Sequence, residues 1–192
     1  MRAVLASGNA HKLDELRAAL PGWELELLGA AEYPPEDGAT YLDNARGKAR
    51  FGRGLVTGDA WVLGEDSGIE AAALGGRPGI ESARWADDGV AALLGALEGA
   101  ADRAARYVCE LVAVAPDGTE VRATGTLAGT IADAPRGSEG FGYDPIFVPE
   151  GETHTVAELG DGWKAQHSHR ARAAAGLRRK CSALPPTAGR VA

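Results

Sequence analysis

Two long β-type runs, RYVCELVAVA from Arg106 and TEVRATGTLAGTI from Thr119, flank Pro116-Asp117-Gly118. The proline presets one dihedral of a reversing turn and the glycine supplies the permissive one, so the pair predicts a β-hairpin. A chain built around such a hairpin must contain a sheet. The N-terminal half has a different rhythm. RAVLA reads as a strand, SGN as a turn, and HKLDELRAAL as an amphipathic helix with Leu13, Leu16 and Leu20 on one face, ended by Pro21 and Gly22. WELELL alternates like a half-exposed strand, and AAEYPPEDGA is a loop by its prolines and glycine. Strands alternating with helices make this an α/β chain.

The remaining segments extend the pattern. Thr40 followed by Asp43 resembles a helix-opening box, so TYLDNARGKARFGRGL is predicted helical despite its glycines. AWVLG follows as a strand, and IEAAAL is expected to be the next one. LGGRPGIESARWADDG reads as mostly irregular, whereas VAALLGALEG resumes helical spacing through Val90, Leu93, Leu94 and Leu97. GSEGFGYDPIFVPEGET is a glycine-rich, aromatic loop around a short strand, IFV. Ser168 is expected to cap a final helix, HRARAAAGLRRKCSAL, before Pro185 and Pro186 stop it and the last residues fray. No repeat or linker divides the 192 residues, which are read as one domain, 1–192, bilobed at most.

Charge and cysteine content narrow the function. A formal net charge of −7 argues against a protein that coats nucleic acid. No apolar run approaches the roughly 20 residues needed to span a bilayer. MRAVLASGN lacks the apolar segment of a secretory signal, so a cytoplasmic location is expected. Cys109 and Cys181 are expected to be free thiols, and the spacing of His11, His154 and His167 does not suggest zinc. A small anionic ligand remains compatible with this charge, because Lys164, His167, His169, Arg170, Arg172, Arg178, Arg179 and Lys180 crowd the C-terminal segment.

Four stretches can carry chemistry. Ser7, Gly8 and Asn9 lie between a strand and a helix N-terminus, where backbone N–H groups favour an anion, and Lys12 adds a full charge; the plainer alternative is a capped helix with a solvated lysine. No Walker A loop occurs. Gly64-Glu65-Asp66-Ser67-Gly68 reads as a loop at the end of a buried strand, either a simple turn or a metal and phosphate site. Its carboxylates suit Mg²⁺, which takes one or two of them and fills its shell with water and phosphate oxygens; Glu36 or Asp37 could supply the second. GFGYDP offers Phe141 as a flat surface for a base, with Gly140 and Gly142 for close approach and Tyr143 and Asp144 as polar readers. KAQHSHR places Lys164, His169 and Arg170 around the start of a helix, where they could meet a phosphate or a carbonyl-bearing base.

Taken in order, SGNAHK, EDGATYLDNARGKA, EDSGIEAAALGGRPGIESARW, GFGYDPIFVPEG and TVAELGDGWKAQHSHRA resemble the inosine triphosphate pyrophosphatase family, from about Leu5 to Arg172. The resemblance implies a homodimeric α/β protein with a long, twisted mixed sheet, flanking helices and two lobes around a central cleft. It implies Mg²⁺-dependent hydrolysis of dITP, ITP and XTP to the monophosphate and pyrophosphate, clearing deaminated purines from the nucleotide pool. By matched position, Ser7, Gly8, Asn9, Ala10, His11 and Lys12 would hold the triphosphate, and Ser67 would touch substrate. Asp66 would act on metal and attacking water, with Glu36 as second metal ligand, while Phe141, Gly142, Tyr143, Asp144, Lys164, His169 and Arg170 surround the nucleotide. The sequence departs from the family pattern at Glu65, where Asp is frequent, and at Pro35, near a position often acidic. Two other readings are a Maf-type pyrophosphatase with different base preference and a non-catalytic nucleotide-binding module.

Overall fold

The computed structural model describes residues 1–184. Its centre is a six-stranded mixed sheet in the order β2-β1-β3-β4-β5-β6. The strands are β1 (Arg2–Leu5), β2 (Glu24–Leu27), β3 (Trp61–Ala71), β4 (Ala104–Val114), β5 (Glu120–Ile131) and β6 (Phe147–Pro149). β1 runs parallel to both β2 and β3, and the pairs β3–β4, β4–β5 and β5–β6 are antiparallel. The hairpin expected around Pro116-Asp117-Gly118 is β4–β5, with Gly118 in the left-handed region at φ 90°.

Five helices flank the sheet: α1 (Ala10–Ala19), α2 (Tyr41–Leu55), α3 (Gly89–Ala96), α4 (Val156–His167) and α5 (His169–Ser182). Each of α1, α2, α3 and α5 starts on a side-chain cap, Asn9, Thr40, Asp88 and Ser168 respectively, which satisfies an otherwise orphaned first-turn N–H. Besides a small cluster of Ala45 and Ala49 of α2 against Val112 and Val114, two larger apolar clusters hang on the sheet. One packs Leu13 and Leu16 of α1 and Leu177 of α5 against Leu5, Leu63 and Leu111. The other gathers Leu93, Ile146 and Phe147 around Ile69, Tyr107 and Leu127. Both cysteines are free and buried.

Two expectations are corrected. AWVLG and IEAAAL are not separate strands, and GEDSG is not a turn between them: Trp61 to Ala71 is one strand, β3, with Glu65, Asp66 and Ser67 paired opposite Leu111, Glu110 and Cys109. Beyond Ala71, Ala72–Leu74 forms a short 3-10 turn. The glycines are there for proximity rather than for reversal. A Cβ on Gly64 would lie 2.0 Å from the Ala45 carbonyl oxygen, and one on Gly68 would lie 2.2 Å from that of Gly79. Neither has a positive φ. The second correction is α4, a helix over Val156–His167 within a stretch to which the sequence assigns no element. Thr155 and Glu158 form a capping box that opens it, and Gly160, at φ 80°, interrupts it. The expected stop at Pro185 and Pro186 and the frayed end lie outside the described residues.

Topology sets where a ligand can sit. β1 leads through α1 to β2 on one side, and the chain returns through α2 to β3 on the other. The two connections leave the sheet on opposite faces, so a crevice opens beyond the carboxyl end of β1. β1 ends at Leu5, opposite Leu63, while β3 continues to Ala71, which leaves the β1-facing edge of β3 open beside Asp66 and Ser67.

Candidate active site

That crevice is a cleft of about 380 Å³, walled by Ser7, Gly8, Asn9 and Lys12 after β1, by Asp66 to Ile69 of β3, and by residues of α4, α5 and the Phe141 loop. Side chains alternate across a strand, so neighbouring residues of β3 meet different helices. Leu63, Glu65 and Ser67 face α1 and α5; Gly64, Asp66 and Gly68 face α2 and the loop after β3.

On the α1–α5 face lies a buried ion network. Lys12 Nζ is 2.7 Å from Glu65 Oε2, and the Arg170 guanidinium donates to Glu65 Oε1 at 2.9 and 3.2 Å. Arg170 also donates to Ser67 Oγ (2.9 Å) and to Glu15. Lys164 Nζ sits 2.5 Å from Glu15 Oε1 and 2.7 Å from Asp144 Oδ2. Burial by itself would raise the Glu65 carboxyl, but the charges of Arg170 and Lys12 hold it well below the usual carboxylate range. Burial likewise works against the charged form of Lys164, and Asp144 and Glu15 more than restore it. Three cations are thus balanced by three carboxylates within one cluster. Such an arrangement is costly to desolvate and holds its geometry only while every partner is present.

On the α2 face the balance differs. Lys48 Nζ, one turn after Asn44, donates to Asp66 Oδ1 (3.2 Å) and to the Glu65 carbonyl (3.0 Å), and pairs with Glu36. Asn44 Nδ2 donates to Asp66 Oδ2 at 3.0 Å. Lys48 thus bridges the two carboxylates, and Arg84 adds a second, more exposed cation 3.6 Å from Glu36. Burial raises the Asp66 carboxyl above its ordinary range, and the negative charges of Glu65 and Glu36 add to it against Lys48 and Asn44. Glu36 stands lower than usual, because Lys48, Lys12 and Arg84 outweigh the effect of its burial.

Among the described residues no cluster of three or more His, Cys, Asp or Glu side chains is built to hold a metal by itself. Mg²⁺ does not need one, since it is commonly held by one or two carboxylates plus substrate phosphates. Two carboxylates on one cleft wall, Glu36 and Asp66, bridged by Lys48, fit that requirement.

The far end of the cleft is aromatic. Phe141 stacks on His11 with ring centroids 5.3 Å apart, and Lys164 Nζ lies 4.8 Å from its ring centre. Its N–H donates to Asp144 Oδ2 at 2.9 Å, and Gly140 must be glycine there because a Cβ would meet the same oxygen at 2.2 Å. The His169 ring lies parallel to Tyr107 at 4.5 Å, and Tyr107 Oη donates to Asp144 Oδ1. Burial and the adjacent Arg170 push His169 well below its usual value, so the imidazole is neutral at pH 7. Its Nδ1 is buried without a protein partner, on a residue that lines the cleft. Tyr143 Oη donates to the Ser82 carbonyl (2.9 Å) and ties the Phe141 loop to the loop after β3.

Most residues singled out from the sequence therefore surround one cleft: Ser7, Gly8, Asn9, Lys12, Glu36, Asp66, Ser67, Phe141, Gly142, Tyr143, Asp144, Lys164, His169 and Arg170. Ala10 and His11 do not line it. Ala10 begins α1, and His11 backs Phe141 from a neighbouring hollow. Sequence reasoning missed Glu15, Asn44, Lys48 and Tyr107. For Asn44 and Lys48 a signal existed: both share the buried stripe of α2 with Tyr41, Ala45, Ala49 and Gly52, where a polar side chain requires a partner.

The chain is similar to known proteins over nearly its whole length. A dITP/XTP pyrophosphatase of Bdellovibrio bacteriovorus is 42% identical over 97% of this chain and 100% of its own length. The Staphylococcus aureus Ham1 protein superposes with a TM-score of 0.82 at 33% identity, covering 95% of this chain and 98% of that one. A HAM1 protein from Coxiella burnetii gives 0.81 at 32%, covering 96% and 100%. The description of the Ham1 family matches residues 3–180, every strand and nearly every helix that walls the cleft, and the chain belongs to that family.

Proposed function

We propose that this chain hydrolyses dITP, ITP and XTP to the corresponding monophosphate and pyrophosphate, removing deaminated purine nucleotides from the pool. The observation that carries the reading is the division of the cleft: two carboxylates bridged by Lys48, Glu36 and Asp66, face cationic and amide donors across one crevice that ends in an aromatic wall. Phosphoanhydride hydrolysis needs those parts and little covalent chemistry from the protein.

In this reading Lys12 and the amides of Ser7 to Asn9 bind the triphosphate at the N-terminus of α1, where the helix dipole adds to the lysine charge. Ala10 and His11 complete that turn. Asp66 orients the attacking water and accepts its proton as the bond between monophosphate and pyrophosphate breaks. Glu36 and Asp66 hold a divalent cation, here assigned as Mg²⁺, which when bound neutralises phosphate charge. Phe141 stacks on the base. Ser67, Gly142, Tyr143, Asp144, Lys164, His169 and Arg170 enclose the nucleotide, and the neutral His169 leaves Nδ1 for a polar group of the base. A pocket of buried donors rejects adenine's amino group because its partners would be left unsatisfied.

The reading takes residues 1–192 as one bilobed catalytic unit, working in the cytoplasm as a homodimer. Pyrophosphate release from dITP, XTP, ITP, dTTP, UTP and ATP, with and without Mg²⁺, tests it. Release from the first three alone, in Mg²⁺, is expected. Preference for dTTP or UTP points to Maf-type selectivity, and orthophosphate as first product overturns the assignment. Binding of ITP with no turnover would leave only a sensor.

A further inference from the structure

Asn44 is a poor choice for the second turn of a helix on conformational grounds, and it is only 5% exposed. Burying an amide is costly unless both ends are bonded. Both ends are. Asn44 Oδ1 accepts from the Gly38 N–H at 2.9 Å, and Nδ2 donates to Asp66 Oδ2 at 3.0 Å. A backbone N–H can only donate and an ionised carboxylate can only accept, so the two partners fix which way the amide points. Gly38 lies two residues from Glu36 on the same loop, and its lack of a side chain is what lets the loop approach: a Cβ there would lie 2.6 Å from Asn44 Oδ1.

Lys48 contacts the same two acids but as a charge, and its pairing with them competes with any cation that arrives. The Asn44 amide is neutral and touches backbone on one side and a single carboxylate oxygen on the other. Its hold on the two partners does not depend on what the remaining carboxylate lone pairs bind.

We propose that Asn44 is a positioning residue that sets the spacing of Glu36 and Asp66, tethering the loop that bears one and orienting the carboxylate of the other. This rests on the reading that Glu36 and Asp66 together hold the divalent ion. Residues that orient metal ligands typically change metal affinity or activity by 10- to 100-fold when removed, and about tenfold is expected here.

The experiment is Mn²⁺ binding to the full chain without nucleotide, followed by loss of the free-ion electron paramagnetic resonance signal, alongside kcat and KM for dITP at saturating Mg²⁺. Asn44→Leu, confirmed folded by circular dichroism, is expected to weaken Mn²⁺ about tenfold and lower kcat about tenfold or more while KM stays within about threefold. Gly38→Ala attacks the tether from the loop side without touching Asp66, and is expected to weaken Mn²⁺ in the same direction. If Asn44→Leu does not fold, Gly38→Ala decides alone. Glu36→Gln and Asp66→Asn are the reference variants. If they weaken Mn²⁺ and the Asn44 and Gly38 variants do not, the positioning role is wrong and the metal assignment stands. If the parent chain shows no saturable Mn²⁺ binding, or the reference variants leave it unchanged, both fall.

Discussion

Glu65 and Asp66, joined by one peptide bond, are neutralised by different cations on opposite faces of the sheet: Glu65 by Lys12 and Arg170, Asp66 by Lys48. Adjacent acids in a strand cannot share a face. The pair therefore divides its labour, with one carboxylate locked inside a balanced network and the other left under-compensated on the cleft wall.

Asp66→Asn removes the proton acceptor, and its single amide oxygen can keep only one of the contacts from Asn44 and Lys48. Turnover of dITP is expected to fall by about 10²- to 10⁴-fold, with the chain still folded by circular dichroism at a lowered urea midpoint. A rate within a few-fold of the parent, measured by pyrophosphate release, would exclude the assigned role.

Lys164→Met takes the shared cation from between Glu15 and Asp144, whose side chains are almost wholly enclosed. Breaking a buried pair this way costs about 3–5 kcal/mol. Asp144, already raised by burial, then loses the cation that opposes it, so the deficit should be largest at neutral pH and shrink as pH falls and this carboxyl protonates. Urea denaturation at pH 7.5 and pH 5 checks both the size and the direction.

His169 is held neutral by burial and by Arg170. Its folded pKa lies below the unfolded value near 6.5, so below that pH the unfolded chain takes up a proton that the native state refuses. This residue's part in stability is therefore complete above the unfolded pKa and declines as pH drops beneath it, by up to about 1.4 kcal/mol per pH unit. His169→Gln should lack that component of the slope between pH 7 and pH 5. An imidazole resonance of His169 titrating near 6.5 in the folded protein would contradict the argument.

Gly64→Ala would drive a methyl group to 2.0 Å from the Ala45 carbonyl oxygen and 2.5 Å from the Ala49 nitrogen. Backbone cannot step aside as a flexible side chain would. A loss of about 1–3 kcal/mol or more is expected, and α2 would carry Asn44 and Lys48 away from Asp66, lowering activity as well. Unchanged melting and turnover would mean that the helix sits farther from β3 than described.

Much of this arrangement was legible in the chain because it is written in local chemistry. The hairpin announced itself through Pro116-Asp117-Gly118, α1 through its leucine spacing, and α5 through Ser168. The GEDSG stretch misled for a physical reason: glycine is used for turns and for close packing alike, and only the position of α2 over β3 tells the two apart. Glu15 was invisible for another reason. On α1 it reads as one more polar helix residue, and its importance comes from Lys164 and Arg170, some 150 residues later in the chain. Thr155 and Glu158 did carry a legible start for α4, which the neighbouring glycines obscured.

The two larger apolar clusters are strung on the same three unbroken strands, β3, β4 and β5, with Glu65 and Ser67 at the seam. No loop separates them along those strands to serve as a hinge. If the walls draw together on a nucleotide, they must do so by flexing a continuous ladder of hydrogen bonds, a stiff spring. Travel is then short, and the sheet's own recoil reopens the jaws once the products loosen their grip.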